Sequence, residues 1–336
     1  MIYSLLPLAL LGLPSISFSH PVARDATQNS SNTCSSNSYT LVSNDGGIWP
    51  YRKYMSTNAS SPDFKTTKTS DHVSDGLIFM TLANNGIYGN PGVKQQGAVL
   101  MDSNSDLVWF GPTGATSNFL KQSYRGEAVI TVWTGTGSAA SGGGAAHGYG
   151  QVEILNSKYE TVKAVCPTAS SLNIKAKADA NISCVADVHE SYITDSNTML
   201  VTVYNITQAD LTPVGGPKNG WITNSLAVEV DIETSQPIFI WDPLQHVPLS
   251  ASHNPLDDAG TNSSNTWDWF HMNAIQSVNG GYLVNSRQTW SSYFVSKSGE
   301  VEWELDGETG GTFGDLPSGY NFVSPTTWLS VAATIY

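Results

Sequence analysis

The sequence predicts an all-β protein of the β-propeller type, in which antiparallel ladders of about four strands follow one another along the chain. Three observations carry this expectation. Charged residues make up only 13% of the 336 residues while Gly, Ser, Thr and Asn abound, the balance of a turn-rich β protein. No segment places apolar residues at the spacing of an extended amphipathic helix. A strand–turn–strand unit also recurs, and its second strand often ends in Trp.

In chain order, Leu5 to Leu13 form a short apolar run broken by Pro7, and Ser17-Phe18-Ser19 stands ahead of His20. This pattern reads as a signal peptide over 1–19, with a buried helix as the alternative, so the protein is expected to be exported. Residues 20–40, rich in Ser, Asn and Thr, read as a flexible lead-in. Sequons at Asn29, Asn58, Asn181, Asn205 and Asn262 suit a glycoprotein on that route. The propeller is expected over 41–322. Its hairpins are Ala98–Asp102 to Leu107–Trp109, Gln151–Leu155 to Thr161–Val162, Ala227–Asp231 to Ile238–Trp241, and Tyr293–Val295 to Glu300–Trp303. Asn, Asp, Ser, Lys and Gly fill the turns. Another strand precedes each hairpin: Leu77–Met80, Ala128–Val132, Leu200–Val203 and Tyr282–Val284. A β-sandwich is the competing architecture. Residues 323–336 fit no repeat and read as an aberrant tail.

Composition excludes some functions. A net charge of −13 with only 15 Lys and Arg argues against a general nucleic-acid surface. No stretch is long and apolar enough to span a membrane. Cys166 and Cys184 are close enough to bridge one loop, Cys34 is left over, and the three cysteines have no metal-ligand spacing. Asp257-Asp258, with Asn262 and Asp268 nearby, lacks the ordered ligand spacing of a calcium loop and reads as a solvated turn. His72, His246 and His253 also fall in loop-like, solvated stretches. The Gly142–Gly150 segment lacks the GK[ST] ending of a phosphate loop, so its glycines are expected to let two backbones approach at a strand start.

The most informative feature is a histidine-headed hairpin that occurs twice. His189 stands four residues before Ile193, with the strand Met199–Tyr204 beyond the turn. His271 stands four residues before Ile275, and its second strand, from Tyr282, ends on Arg287. Imidazoles at matching points of repeated ladders are expected to meet at the repeat axis. A guanidinium beside them suits an oxygen-rich anion such as sulfate or phosphate.

The run Asp268-Trp269-Phe270-His271-Met272-Asn273, then Ser286-Arg287 and Val301-Glu-Trp303-Glu-Leu-Asp-Gly307, resembles the arylsulfotransferase family; His147-Gly-Tyr-Gly150 is similar to its fungal branch. The resemblance covers Leu77 to about Phe322. It implies a six-bladed propeller with its site in the central channel. It also implies transfer of a sulfuryl group from a phenolic ester to another phenol, with no nucleotide sulfate donor and no cofactor. His271, His189 and Arg287 match catalytic positions that hold sulfate oxygens and manage protons, Asn273 matches a substrate-binding position, and His147 is a further substrate-binding candidate. The family's nucleophilic histidine belongs to a later blade, in a Gln-His-Asp-Ala run. Here Val323–Tyr336 stands instead and no histidine follows His271. The expectation is therefore an incomplete propeller of about four to five blades, apparently truncated at the C-terminus. Such a chain would bind aryl sulfates and transfer poorly, or would be a non-catalytic binder of aromatic or sulfated ligands.

Each candidate has a plainer alternative. A histidine at a strand start can be purely structural, Asn273 can cap a turn, and Arg287 can pair with Glu302 or Asp306. The chemistry nevertheless asks for these residue types: Arg287 offers a planar fork for two oxygens, and imidazoles carry protons near neutral pH.

Overall fold

The computed structural model describes residues 38–43, 45–70, 76–83, 92–138, 147–174 and 183–315. The proposed signal peptide, Cys34, His72, Asn29, Asn181 and the tail from 323 lie outside them. The described chain is almost entirely β, in five successive antiparallel meanders, the third and fourth joined by the Ala186–Gly150 pairing into one nine-stranded sheet, and none is closed into a barrel. The first contains β1 (Tyr39–Val42), β2 (Tyr51–Tyr54) and β3 (Ser60–Pro62); the second β4 (Ile78–Leu82), β5 (Gly97–Met101) and β6 (Leu107–Thr113). The third contains β7 (Ala115–Tyr124), β8 (Glu127–Ser138), β9 (His147–Leu155) and β10 (Thr161–Val165). The fourth contains β11 (Ala186–Ile193), β12 (Thr198–Ala209), β13 (Gly220–Asp231) and β14 (Pro237–Trp241). A short strand, β15 (Trp267–Asp268), runs parallel to β13 before the fifth meander, β16 (Met272–Val278), β17 (Gly281–Ser286), β18 (Ser291–Val295) and β19 (Val301–Asp306). The four sequence-predicted hairpins and the strands before them coincide with these elements.

Alternation along the strands explains why the meanders stack. On β12, Met199, Val201 and Val203 join Val228 and Val230 of β13 in a core shared with Val152 and Ile154 of β9. The other face of the same ladder presents Leu200 and Ala227 to Trp269, Phe270, Ile275, Tyr282 and Tyr293. A sheet buried on both faces carries near-continuous apolar runs, which is why Met199–Tyr204 lacks a polar stripe. The first strands of consecutive meanders adjoin one another: β4 beside β7, β7 beside β11, and β11 beside β16.

The third and fourth meanders are joined by a loop containing α1 (Ala169–Leu172), whose N-terminus is closed by reciprocal bonds between Thr168 and Ser171. The Cys166–Cys184 disulfide closes this loop, the pairing that proximity in sequence allowed. The backbones also approach closely at the glycines of β9. A Cβ on Gly150 would lie 2.2 Å from the Thr134 carbonyl oxygen, and one on Gly148 would lie 2.8 Å from the Trp133 ring.

Candidate functional site

The strands bring three histidines, two aspartates, Tyr204 and Arg287 together. His147 opens β9, Asp187 and His189 lie on β11, Tyr204 lies on β12, Asp268 ends β15, and His271 sits in the turn to β16. His271 is fully buried, and its φ of +55° lies in the left-handed region that non-glycine residues seldom adopt. The turn is held from both sides. The Arg287 amide donates to the His271 carbonyl at 2.9 Å, the Ser286 hydroxyl donates to the Phe270 carbonyl at 2.5 Å, and the Met272 amide donates to Ser225 Oγ at 3.1 Å. Such conformations persist where the surroundings over-determine them, and they concentrate at working sites.

The carboxylates set the orientation of the rings. Asp268 Oδ2 accepts from His271 Nδ1 at 2.6 Å and from His147 Nε2 at 3.2 Å. Asp187 Oδ1 accepts from His189 Nδ1 at 2.5 Å and from the His189 amide at 2.9 Å. Its Oδ2 accepts from the Gly148 amide at 2.7 Å, so the glycine beside His147 also serves the site. His271 Nε2 and His189 Nε2 then face each other at 3.2 Å. Tyr204 packs on His147 with ring centroids 3.9 Å apart, and its hydroxyl donates to the Met272 carbonyl at 2.9 Å.

Burial would push the Asp268 and Asp187 carboxyls up, but the adjacent histidines outweigh it and hold both well on the ionised side. Burial would lower His147, yet the charge of Asp268 and its hydrogen bond raise its proton affinity. For His271 burial wins over Asp268, and its proton affinity falls. Burial also lowers Arg287, opposed by Asp268 and Tyr204, which places the guanidinium within electrostatic reach of the cluster. Among the described residues, His147 Nδ1 and Asp268 Oδ1 are buried without a hydrogen-bond partner.

His147, His189, His271 and Arg287 are thus brought together. Asn273 is half-buried at a bulge of β16, and among the described residues its side chain makes no hydrogen bond to the cluster. One sequence reading needs correction. Asp268 is no part of a solvated turn: Asp257 and Asp258 are exposed, but Asp268 is 7% exposed and bonded to two histidines. Asp268 acts electrostatically on Arg287, and Asp306 accepts from Ser291 and Thr309. His246 and His253 are exposed as expected, each stacked on a tryptophan, Trp241 and Trp290 respectively. Asp187 and Tyr204 were missed. An acidic residue two or three positions before each histidine, Asp187-Val-His189 and Asp268-Trp-Phe-His271, was the available signal for the carboxylates. Nothing in the local sequence of Tyr204 marks it.

No curated protein matches the chain significantly. A family model described as Arylsulfotransferase (ASST) matches residues 121–324, a span holding every member of the cluster. Because that span is more than half of the 336 residues, the chain belongs to the arylsulfotransferase family.

Proposed function

We propose that this chain holds the sulfate group of an aryl sulfate against His189, His271 and Arg287, within the family's transfer of sulfuryl groups between phenolic compounds. The observation that carries this is the convergence of three histidines from three meanders, with Arg287, on two buried ionised carboxylates. The adjoining first strands support an architecture of radiating blades, and we infer a propeller with the cluster on its axis. The Cys166–Cys184 disulfide suits an exported protein.

In the transfer, the acceptor's oxygen bonds to sulfur while the bond from sulfur to the donor's aryl oxygen breaks and the phenolate leaves. Charge on the remaining sulfuryl oxygens requires fixed positive partners. Arg287 supplies a permanent one, and a proton passes between phenol and phenolate through an imidazole. A covalent route also needs a neutral imidazole as nucleophile. His147, its proton affinity raised by Asp268, is better suited to hold an oxygen than to attack sulfur.

The test is to incubate the purified chain with a chromogenic aryl sulfate and a phenol. Saturable binding is expected, weakened about 10–100-fold by Arg287→Ala, as loss of charged hydrogen bonds implies. Transfer is read as release of the chromogenic phenolate, and turnover is expected to depend on His271. Turnover unchanged by His271→Ala overturns the role given to that imidazole. Absence of binding overturns the assignment of the site.

A further inference from the structure

The backbone at His271 needs restraint. A residue with a Cβ adopts its φ of +55° only at a cost, so the peptide groups around it have to be held. Two of them are held from within the fifth meander. The Phe270 carbonyl accepts from the Ser286 hydroxyl and the Gln288 amide, and the His271 carbonyl accepts from the Arg287 amide. Met272 is gripped from elsewhere. Its amide donates to Ser225 Oγ at 3.1 Å, and its carbonyl accepts from the Tyr204 hydroxyl at 2.9 Å. Among the described residues, those two bonds are what tie the backbone of 270–272 to the fourth meander.

Tyr204 and Ser225 stand directly opposite each other in the β12–β13 ladder, so their side chains leave the same face of it. Both are buried, as is Met272. The same meander carries His189 on β11, the strand beside β12. Gripping Met272 therefore sets how His271 stands against His189, whose Nε2 atoms are 3.2 Å apart. The Tyr204 ring reaches the third meander as well. Its centroid lies 3.9 Å from that of His147, 6.0 Å from that of His189 and 6.1 Å from that of His271.

We propose that Tyr204 is a positioning residue for the transfer. Its hydroxyl places His271 through Met272, with Ser225 as its partner, and its ring places His147. Three imidazoles from three meanders then present one fixed arrangement to the sulfuryl group. The hydroxyl proton is committed to the Met272 carbonyl, so Tyr204 acts through the histidines and not on the substrate. The inference rests on the proposed function and deepens it. It also separates rate from binding. Arg287 offers the sulfate the same charge before and during transfer, whereas an imidazole that moves a proton must be placed closely, and a misplacement of about 1 Å can cost about 100-fold in rate.

The test compares the full chain with Tyr204→Phe, which keeps the ring and removes the hydroxyl, after near-ultraviolet circular dichroism confirms the fold. With a chromogenic aryl sulfate and a phenol, kcat is expected to fall about 10–100-fold while KM changes by less than about 3-fold. Ser225→Ala removes the other bond to Met272 and carries the same expectation, so it decides the matter if Tyr204→Phe does not fold. A reading independent of activity comes from magnetic resonance of isotope-labelled histidine. The His271 ring signals, identified by their loss in His271→Gln, should move in Tyr204→Phe, while those of His246 and His253 stay. Unchanged kcat, or a change in KM alone, overturns the positioning role. A lowered kcat with unmoved His271 signals overturns the route through that ring. A wild-type chain that neither binds nor turns over aryl sulfate overturns the proposed function instead, and the His271 signals then decide whether Tyr204 sets that ring.

Discussion

Two buried carboxylate clusters flank the fourth meander, and they are completed differently. Glu229 of β13 accepts from Thr198 at 2.5 Å, from Tyr282, and from Lys297 at 3.3 Å; Lys297 also caps the Tyr282 ring. Burial would raise its carboxyl, but these donors outweigh it and hold it low. Asp268 is just as buried, yet one of its oxygens serves two histidines and the other has no hydrogen-bond partner among the described residues. A carboxylate saturated by donors joins strands together. One that leaves polar atoms uncommitted among convergent imidazoles costs stability, and perturbed groups of this kind cluster at functional sites.

Substitutions should separate these roles. Glu229→Ala strands three donors around a buried gap and should cost about 3 kcal/mol in urea unfolding, the lower end for breaking a buried charged pair. Aryl sulfate binding by the folded variant should be unchanged. A large loss of binding would mean the two clusters are coupled and would break the contrast.

Asp268→Asn keeps the shape but removes the negative charge that holds both histidines as donors. Loss of the charge that orients both rings should weaken aryl sulfate binding about 10-fold, about 1.4 kcal/mol. Its unfolding free energy should move less than that of Glu229→Ala. The reverse ranking would assign Asp268 a structural role.

The smallest expected effect sharpens the contrast through pH. Glu190, beside His189 on β11, is raised by burial from 4.5 to about 7, opposed weakly by the Ser191 amide. The folded state therefore keeps a proton that the unfolded state releases, and stability falls as pH rises from about 4.5 to about 7. Above that window Glu190→Gln should stabilise the protein by about 1–3 kcal/mol, discounted for partial exposure, and near pH 4 it should change little. Thermal unfolding at pH 4 and pH 8 measures this; equal effects at both would show that Glu190 is not desolvated.

Much of this was legible in the sequence for a local reason. Strand alternation, turn residues and the His-headed hairpins depend on neighbours a few residues apart. So does Asp268 with His271, because a tight turn brings a residue and its third successor together whatever the rest of the chain does. The repeat of histidines at matching points also foretold that they would meet. It did not foretell which carboxylate would orient which ring.

What only the tertiary structure decided is the placement of groups far apart in the chain. His147 reaches Asp268 across 121 residues and His189 reaches His271 across 82, distances that no local pattern encodes. The packing of β11 beside β9 and β16 sets them, through apolar faces that carry no chemical label of their own. The same packing turned Asp268 from an apparent turn residue into a buried anion, and selected Tyr204 to wall the cluster. Sequence alone determined the strands and the kinds of side chain available. Which of those side chains lost their water, and therefore acquired unusual proton affinities and unmet bonds, followed from how the sheets stacked.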